Sequence, residues 1–92
     1  MKKTKKEIYI GIGLGKLRNE KKWTQQKLAE ESELNIRFIQ DLEYNEKSPS
    51  VTTLRLLADA FEMKIWEFIK QIEDEFIYKY PEKKQPKKLP KS

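Results

Sequence analysis

The chain has 92 residues, enough for one compact domain and too few for two. It contains no cysteine and no histidine, which excludes a disulfide framework, a thiol nucleophile, a Cys/His zinc cluster and an imidazole base; no metal and no cofactor are expected, and the chain does not read as an enzyme. The formal charge of +5 is unevenly spread: residues 1–7 hold four lysines against one glutamate, residues 81–92 hold five lysines against one glutamate, and the 11 basic and 13 acidic residues between them leave the middle slightly acidic.

In chain order, Thr4 and Glu7 stand in the Thr-x-x-Glu spacing of a capping box, and Ile10, Leu14 and Leu17 follow at helical spacing, so a first helix is expected from this box to about residue 21. Gly11, Gly13 and Gly15 lie inside it and call for close packing, since each weakens a helix by about 0.8–1 kcal/mol against alanine. The string Gly11-Ile12-Gly13-Leu14-Gly15-Lys16 looks like a phosphate loop but meets neither the dinucleotide spacing nor the P-loop spacing, and no strand is expected before it. Thr24 can cap a second helix over 25–32, with Leu28 and Ala29 inward, and Asn35 a third over 36–44, with Ile39 and Leu42 inward. The link between them is so short that the two helices must cross steeply. Pro49-Ser50 opens a fourth helix over 51–61, with Leu54, Leu57, Ala58 and Phe61 in one apolar stripe. A fifth begins near Ile65, without a good capping side chain at Lys64, and its stripe of Ile65, Phe68, Ile69, Ile72 and Phe76 is longer than the other four helices can cover.

These elements divide the chain into a basic N-terminal arm with the start of the first helix (1–7), a helical domain (8–80), and a Lys/Pro-rich tail (81–92) that lacks the apolar pattern of a folded segment. No apolar run is long enough to cross a bilayer, the basic start is not followed by the apolar stretch of a secretory signal, and the expected location is the cytoplasm.

Gly11, Leu14, Leu17-Arg18, Thr24-Gln25, Leu28-Ala29, Ile39, Leu42-Glu43, Pro49-Ser50, Leu54, Ala58 and Phe61 together make the stretch 10–69 resemble the lambda repressor-like, or Xre/Cro, family of helix-turn-helix regulators. The resemblance implies an all-α, five-helix domain that binds double-stranded DNA with its third helix in the major groove and its second against the backbone. It also implies an internal ion pair between Arg18 and Glu43. Carried over by position, Gln25, Asn35, Tyr44, Asn45 and Lys47 are expected at phosphates. Ile36, Arg37, Gln40 and Asp41 point outward from the third helix and are expected at bases: arginine suits guanine, glutamine adenine, isoleucine a thymine methyl, and Asp41 either accepts from cytosine or holds Arg37 in position. Phe38 is expected to pack on the second helix.

Two-fold operators call for a dimer, so a homodimer on a near-palindromic site is expected, with Trp66, Ile69, Ile72 and Phe76 of the fifth helix as its interface and no small-molecule ligand. Phage, plasmid and restriction-modification regulators all fit this description. The competing reading is a protein-interaction module of antirepressor or antitoxin type that uses the same fold and the fifth helix. One departure from the family has a structural consequence: where relatives commonly end helices on glycine, this chain has Lys22, Glu33, Asn45 and Glu62.

Overall fold

A computed structural model describes residues 6–80. Thr4 and the tail 81–92 lie outside the described residues. The elements are β1 (Glu7–Tyr9), α1 (Gly11–Glu20), α2 (Gln25–Ser32), α3 (Ile36–Glu43), α4 (Val51–Ala60), α5 (Ile65–Ile72), a single 3₁₀ turn (Glu73–Glu75) and β2 (Ile77–Lys79). Five helices enclose one core, so the all-α expectation holds, with a two-stranded antiparallel sheet added at the ends of the domain.

The middle three helices begin where their caps place them. Thr24 Oγ1 accepts from the Lys27 N–H at 3.0 Å, Asn35 Oδ1 from the Arg37 N–H at 2.7 Å, and Ser50 Oγ from the Thr53 N–H at 3.1 Å. Each bond satisfies a first-turn N–H that has no partner within its own helix. At α5 the device is the reverse: the Glu67 carboxylate reaches back to accept from the Lys64 N–H at 2.9 Å, which starts the helix without an oxygen on residue 64.

The helix ends are equally regular. Lys22, Glu33, Asn45 and Glu62 all have positive φ, between 58° and 63°. Behind each, the next N–H returns to a carbonyl five residues earlier: Trp23 to Arg18 at 3.1 Å, Leu34 to Ala29 at 3.1 Å, Glu46 to Asp41 at 2.8 Å and Met63 to Ala58 at 2.9 Å. These are Schellman closures, in which Trp23, Leu34 and Met63 then fold back onto the core. Four non-glycine residues thus hold a left-handed conformation that disfavours a Cβ, and the backbone bonds they complete hold them there.

The core is built from Leu14, Leu17, Leu28, Ala29, Ile39, Leu42, Leu57, Ala58, Phe61, Phe68 and Ile72, all buried. Trp23, Phe61 and Phe68 form a stacked row through it, with centroids 5.4 and 6.0 Å apart. Ser32 is buried too, and its hydroxyl donates to the Leu28 carbonyl at 2.7 Å.

Both ends of the domain depart from expectation. Helix α1 starts at Gly11, not at the Thr4–Glu7 spacing, because Glu7, Ile8 and Tyr9 pair in register with Lys79, Tyr78 and Ile77. Cross-strand pairs of β-branched and aromatic residues favour that pairing, and the glycines that follow offer little to a longer helix. A strand therefore does precede the glycine-rich string. It still presents no phosphate loop: a Cβ on Gly11 would run into the Glu43 carbonyl oxygen and lie 2.6 Å from Asn45 Oδ1, and one on Gly13 would lie 2.5 Å from Ile72 Cβ, so protein already fills the space. Helix α5 stops at Ile72, short of Phe76. Glu73, Asp74 and Glu75 bring negative charge to the negative end of the helix dipole, and the residues beyond Phe76 are extended.

Close packing and left-handed caps make opposite predictions for small substitutions. Gly13→Ala should lower stability by about 1–3 kcal/mol through overpacking on Ile72. Gly15→Ala, whose Cβ would meet nothing nearer than 3.7 Å, should raise it by about 0.5–1 kcal/mol. Glu33→Gly, at φ 63°, should raise the melting temperature by a few degrees, corresponding to relief of about 1 kcal/mol of strain less the entropy cost of glycine. Thermal unfolding of the three variants checks all three signs, and equal effects of the two alanine substitutions would contradict the packing account.

Candidate nucleic-acid interface

The site begins with how α3 is held. Arg18, near the end of α1, donates from Nε to Glu43 Oε2 at 2.6 Å and from Nη2 to Glu43 Oε1 at 3.0 Å, a two-pronged pair with the last residue of α3. The side chains are only 15% and 6% exposed. Arg18 Nη1 also donates to the Trp23 carbonyl at 2.8 Å, and Gln25 Nε2 donates to Glu43 Oε1 at 3.0 Å. One carboxylate therefore ties together α1, the closing turn after it, the start of α2 and the end of α3. The hydrogen bonds to Glu43 raise the Arg18 pKa further, partly offset by burial, so its charge is present throughout the neutral and mildly alkaline range and is lost only above the ordinary arginine range.

With its C-terminal end fixed, α3 turns Ile39 and Leu42 into the core and a polar strip outward. Arg37 is the most protruding member of that strip. Gln40 and Asp41 are half-buried on its flank, and Tyr44 and Lys47 stand exposed in the loop beyond. Ile36 is also half-buried, because its side chain packs against the core from the first turn. Phe38 packs there as well, with the Lys47 ammonium 5.9 Å from its ring centroid.

Two residues expected at phosphates have their side-chain oxygens committed inside the protein. Asn35 Oδ1 caps α3. Asn45 Oδ1 accepts from the Gly11 N–H at 2.9 Å, so Asn45 closes α3 with its backbone and starts α1 with its side chain. Its carbonyl further accepts from Lys79 Nζ at 3.3 Å, a link to β2. Asn45 is thus a structural junction. The short-range sequence pattern marks its left-handed φ but carries no sign of the bond to Gly11.

The four residues expected to form a dimer interface do not share one surface. Ile72 is 1% exposed and packs on Gly13 of α1; it is core. Trp66 is 59% exposed and lines a shallow depression with Met63, Glu67, Lys70 and Gln71. Ile69 and Phe76 line a separate apolar groove of about 380 Å³ with Ile8, Ile10, Pro49 and Leu54. Sequence periodicity missed this second groove, since half of its wall comes from the N-terminal strand and the loop before α4.

Among the described residues, no group of three acidic side chains is placed to hold a metal ion, and no helix is long and apolar enough to cross a membrane. Residues 14–65, more than half of the chain, match the family model described as helix-turn-helix. No curated protein matches the chain.

If Glu43 organises three helices, its removal is expensive. Glu43→Ala and Arg18→Ala should each destabilise by about 3 kcal/mol, because each leaves a largely desolvated partner unpaired. The double variant should lose much less than the sum of the two, as measured by denaturant unfolding of all four proteins in one cycle. Additive losses would show that the two side chains act independently.

Proposed function

The chain belongs to the helix-turn-helix family of lambda repressor-like, DNA-binding transcription regulators, and on that premise we propose that it binds a near-palindromic DNA site as a homodimer and represses or autoregulates the promoter that contains it. It has no enzymatic activity in this reading and works in the cytoplasm, where double-stranded DNA is its partner. The observation that carries the proposal is the exposed strip on α3, with Arg37 foremost and Gln40 beside it, on a helix whose far end is locked by Glu43.

In this reading α3 lies in the major groove. Arg37 donates its fork to guanine O6 and N7, Gln40 pairs with adenine, and the exposed part of Ile36 touches a thymine methyl. Gln25, one of whose amide hydrogens is taken by Glu43, offers its second amide N–H, together with the backbone N–H groups at the positive end of α2, to one phosphate strand. Asn35 contributes through its amide nitrogen. Tyr44 and Lys47 meet the backbone beyond the other end of α3. Asn45 supports the loop from within and is not a contact. The lysines of residues 1–6 and 83–91 add sequence-independent attraction to phosphate that the slightly acidic middle of the chain does not supply.

Dimerisation follows from the need for two half-sites, because one short helix discriminates weakly. Exposed Trp66 and the groove of Ile69 and Phe76 are the surfaces that support it; buried Ile72 drops out. Dimer formation makes occupancy of the site depend on protein concentration.

Selection of the full chain on randomised duplexes tests the reading. Enrichment of a near-palindrome is expected. Arg37→Ala should then lose about 1–3 kcal/mol at one base pair of each half-site, while Lys47→Ala weakens all duplexes alike and reduces the salt dependence. Absence of any enriched sequence would favour a protein-binding role for the same fold. Separately, Trp66→Glu should shift the protein to monomer in sedimentation; a persistent dimer would place the interface elsewhere.

A further inference from the structure

Asp41 is an acidic side chain in the middle of a surface that, on the reading above, faces DNA. Its two oxygens each face a cation: Oδ1 is 3.7 Å from Arg37 Nε, and Oδ2 is 3.6 Å from Lys47 Nζ. The exposures are unequal. Asp41 is 20% exposed, against 78% for Arg37 and 58% for Lys47, so both cations project past the carboxylate that joins them. The Asp41 carbonyl accepts from the N–H groups of Glu46 and Lys47 at 2.8 and 3.3 Å, which pins the loop carrying Lys47 to the last turns of α3. Phe38, packed on the core, adds a ring face beside the same ammonium.

We propose that Asp41 is a specificity-setting positioning residue, which holds Arg37 toward the base edges and Lys47 toward the backbone and does not itself contact a base. The inference rests on the DNA-binding reading and sharpens it. A carboxylate at a phosphate-facing surface weakens binding to every duplex, correct or incorrect. It improves discrimination only by restricting what neighbouring cations can do. A freely moving Arg37 would satisfy itself on the nearest phosphate of any sequence, whereas an Arg37 drawn back along α3 by an ion pair one turn away keeps its planar fork for a bidentate partner in the groove. Lys47, drawn to the other oxygen of the same carboxylate, is held back from the space in front of Arg37.

Asp41→Asn keeps size and shape while removing the charge, and it is compared with the parent chain by selection on randomised duplexes and by fluorescence anisotropy across a salt series. Affinity for unrelated duplex should rise roughly 5-fold. Preference at the base pair read by Arg37, identified independently as the one lost in Arg37→Ala, should fall roughly 10-fold. The melting temperature should stay within a degree or two, and Asp41→Glu should recover part of the preference. Loss of preference at a different base pair with unchanged binding to unrelated duplex would show that Asp41 reads a base itself, and no change in either quantity would show that its charge only solvates the surface; both outcomes overturn the inference. If the parent chain enriches no sequence at all, the DNA-binding reading fails and takes this inference with it, a result distinct from the other two.

Discussion

What α3 presents to solvent is set by a contact at its opposite end. The Arg18 guanidinium and the Glu43 carboxylate meet in a two-pronged pair that is almost closed to water, and Gln25 takes a third place on the same carboxylate. A point charge in that position would fix a distance; a planar fork against a carboxylate also fixes an orientation. The pair therefore sets the rotation of α3 relative to α1 and to the start of α2. In the proposed DNA-binding mode, groove reading depends on that rotation, because a modest turn of the helix would carry Arg37 from a base edge to a phosphate.

Short helices make such a clamp necessary. None of the five exceeds 10 residues, too few for stability in isolation, so tertiary contacts must define where each begins and ends. The chain does this with side-chain caps at three helix starts and a left-handed residue after each of the first four helices. Gly11 and Gly13 then allow α1 to lie directly against the end of α3 and against Ile72. Asn45 joins these devices, closing one helix and opening another 34 residues away. The terminal strands pair with each other and reach the same junction through Lys79. Helix α3, the caps and the sheet thus belong to one connected arrangement.

Much of this was legible from residue order, for definite reasons. Caps are local signals, so Thr24, Asn35 and Ser50 placed the starts of α2, α3 and α4, whereas the left-handed positions Lys22, Glu33, Asn45 and Glu62 were marked only by the resemblance to a family that commonly has glycine there. Periodicity separated Ile39 and Leu42 from Arg37 and Gln40. The ends were not legible. A three-residue strand has almost no pattern of its own, and Glu7–Tyr9 is extended only because Ile77–Lys79 lies beside it. Ile72 shows the same limit: spacing put it on an apolar face, yet only the packing of α5 on α1 reveals that this residue is already covered. Asn45 shows it for a polar group, whose partner Gly11 is chosen by tertiary proximity.

The most direct test of the account is to follow backbone amide resonances of the labelled chain as its selected duplex is added. The largest changes are expected along the outward strip of α3 from Arg37 to Asp41, at the first turn of α2, and in the loop at Tyr44 to Lys47, with the Trp66 surface of α5 unaffected once the proposed dimer has formed. Changes concentrated around Trp66, with α3 undisturbed, would contradict it and would mean that the helix held by Arg18 and Glu43 is not the one that reads DNA.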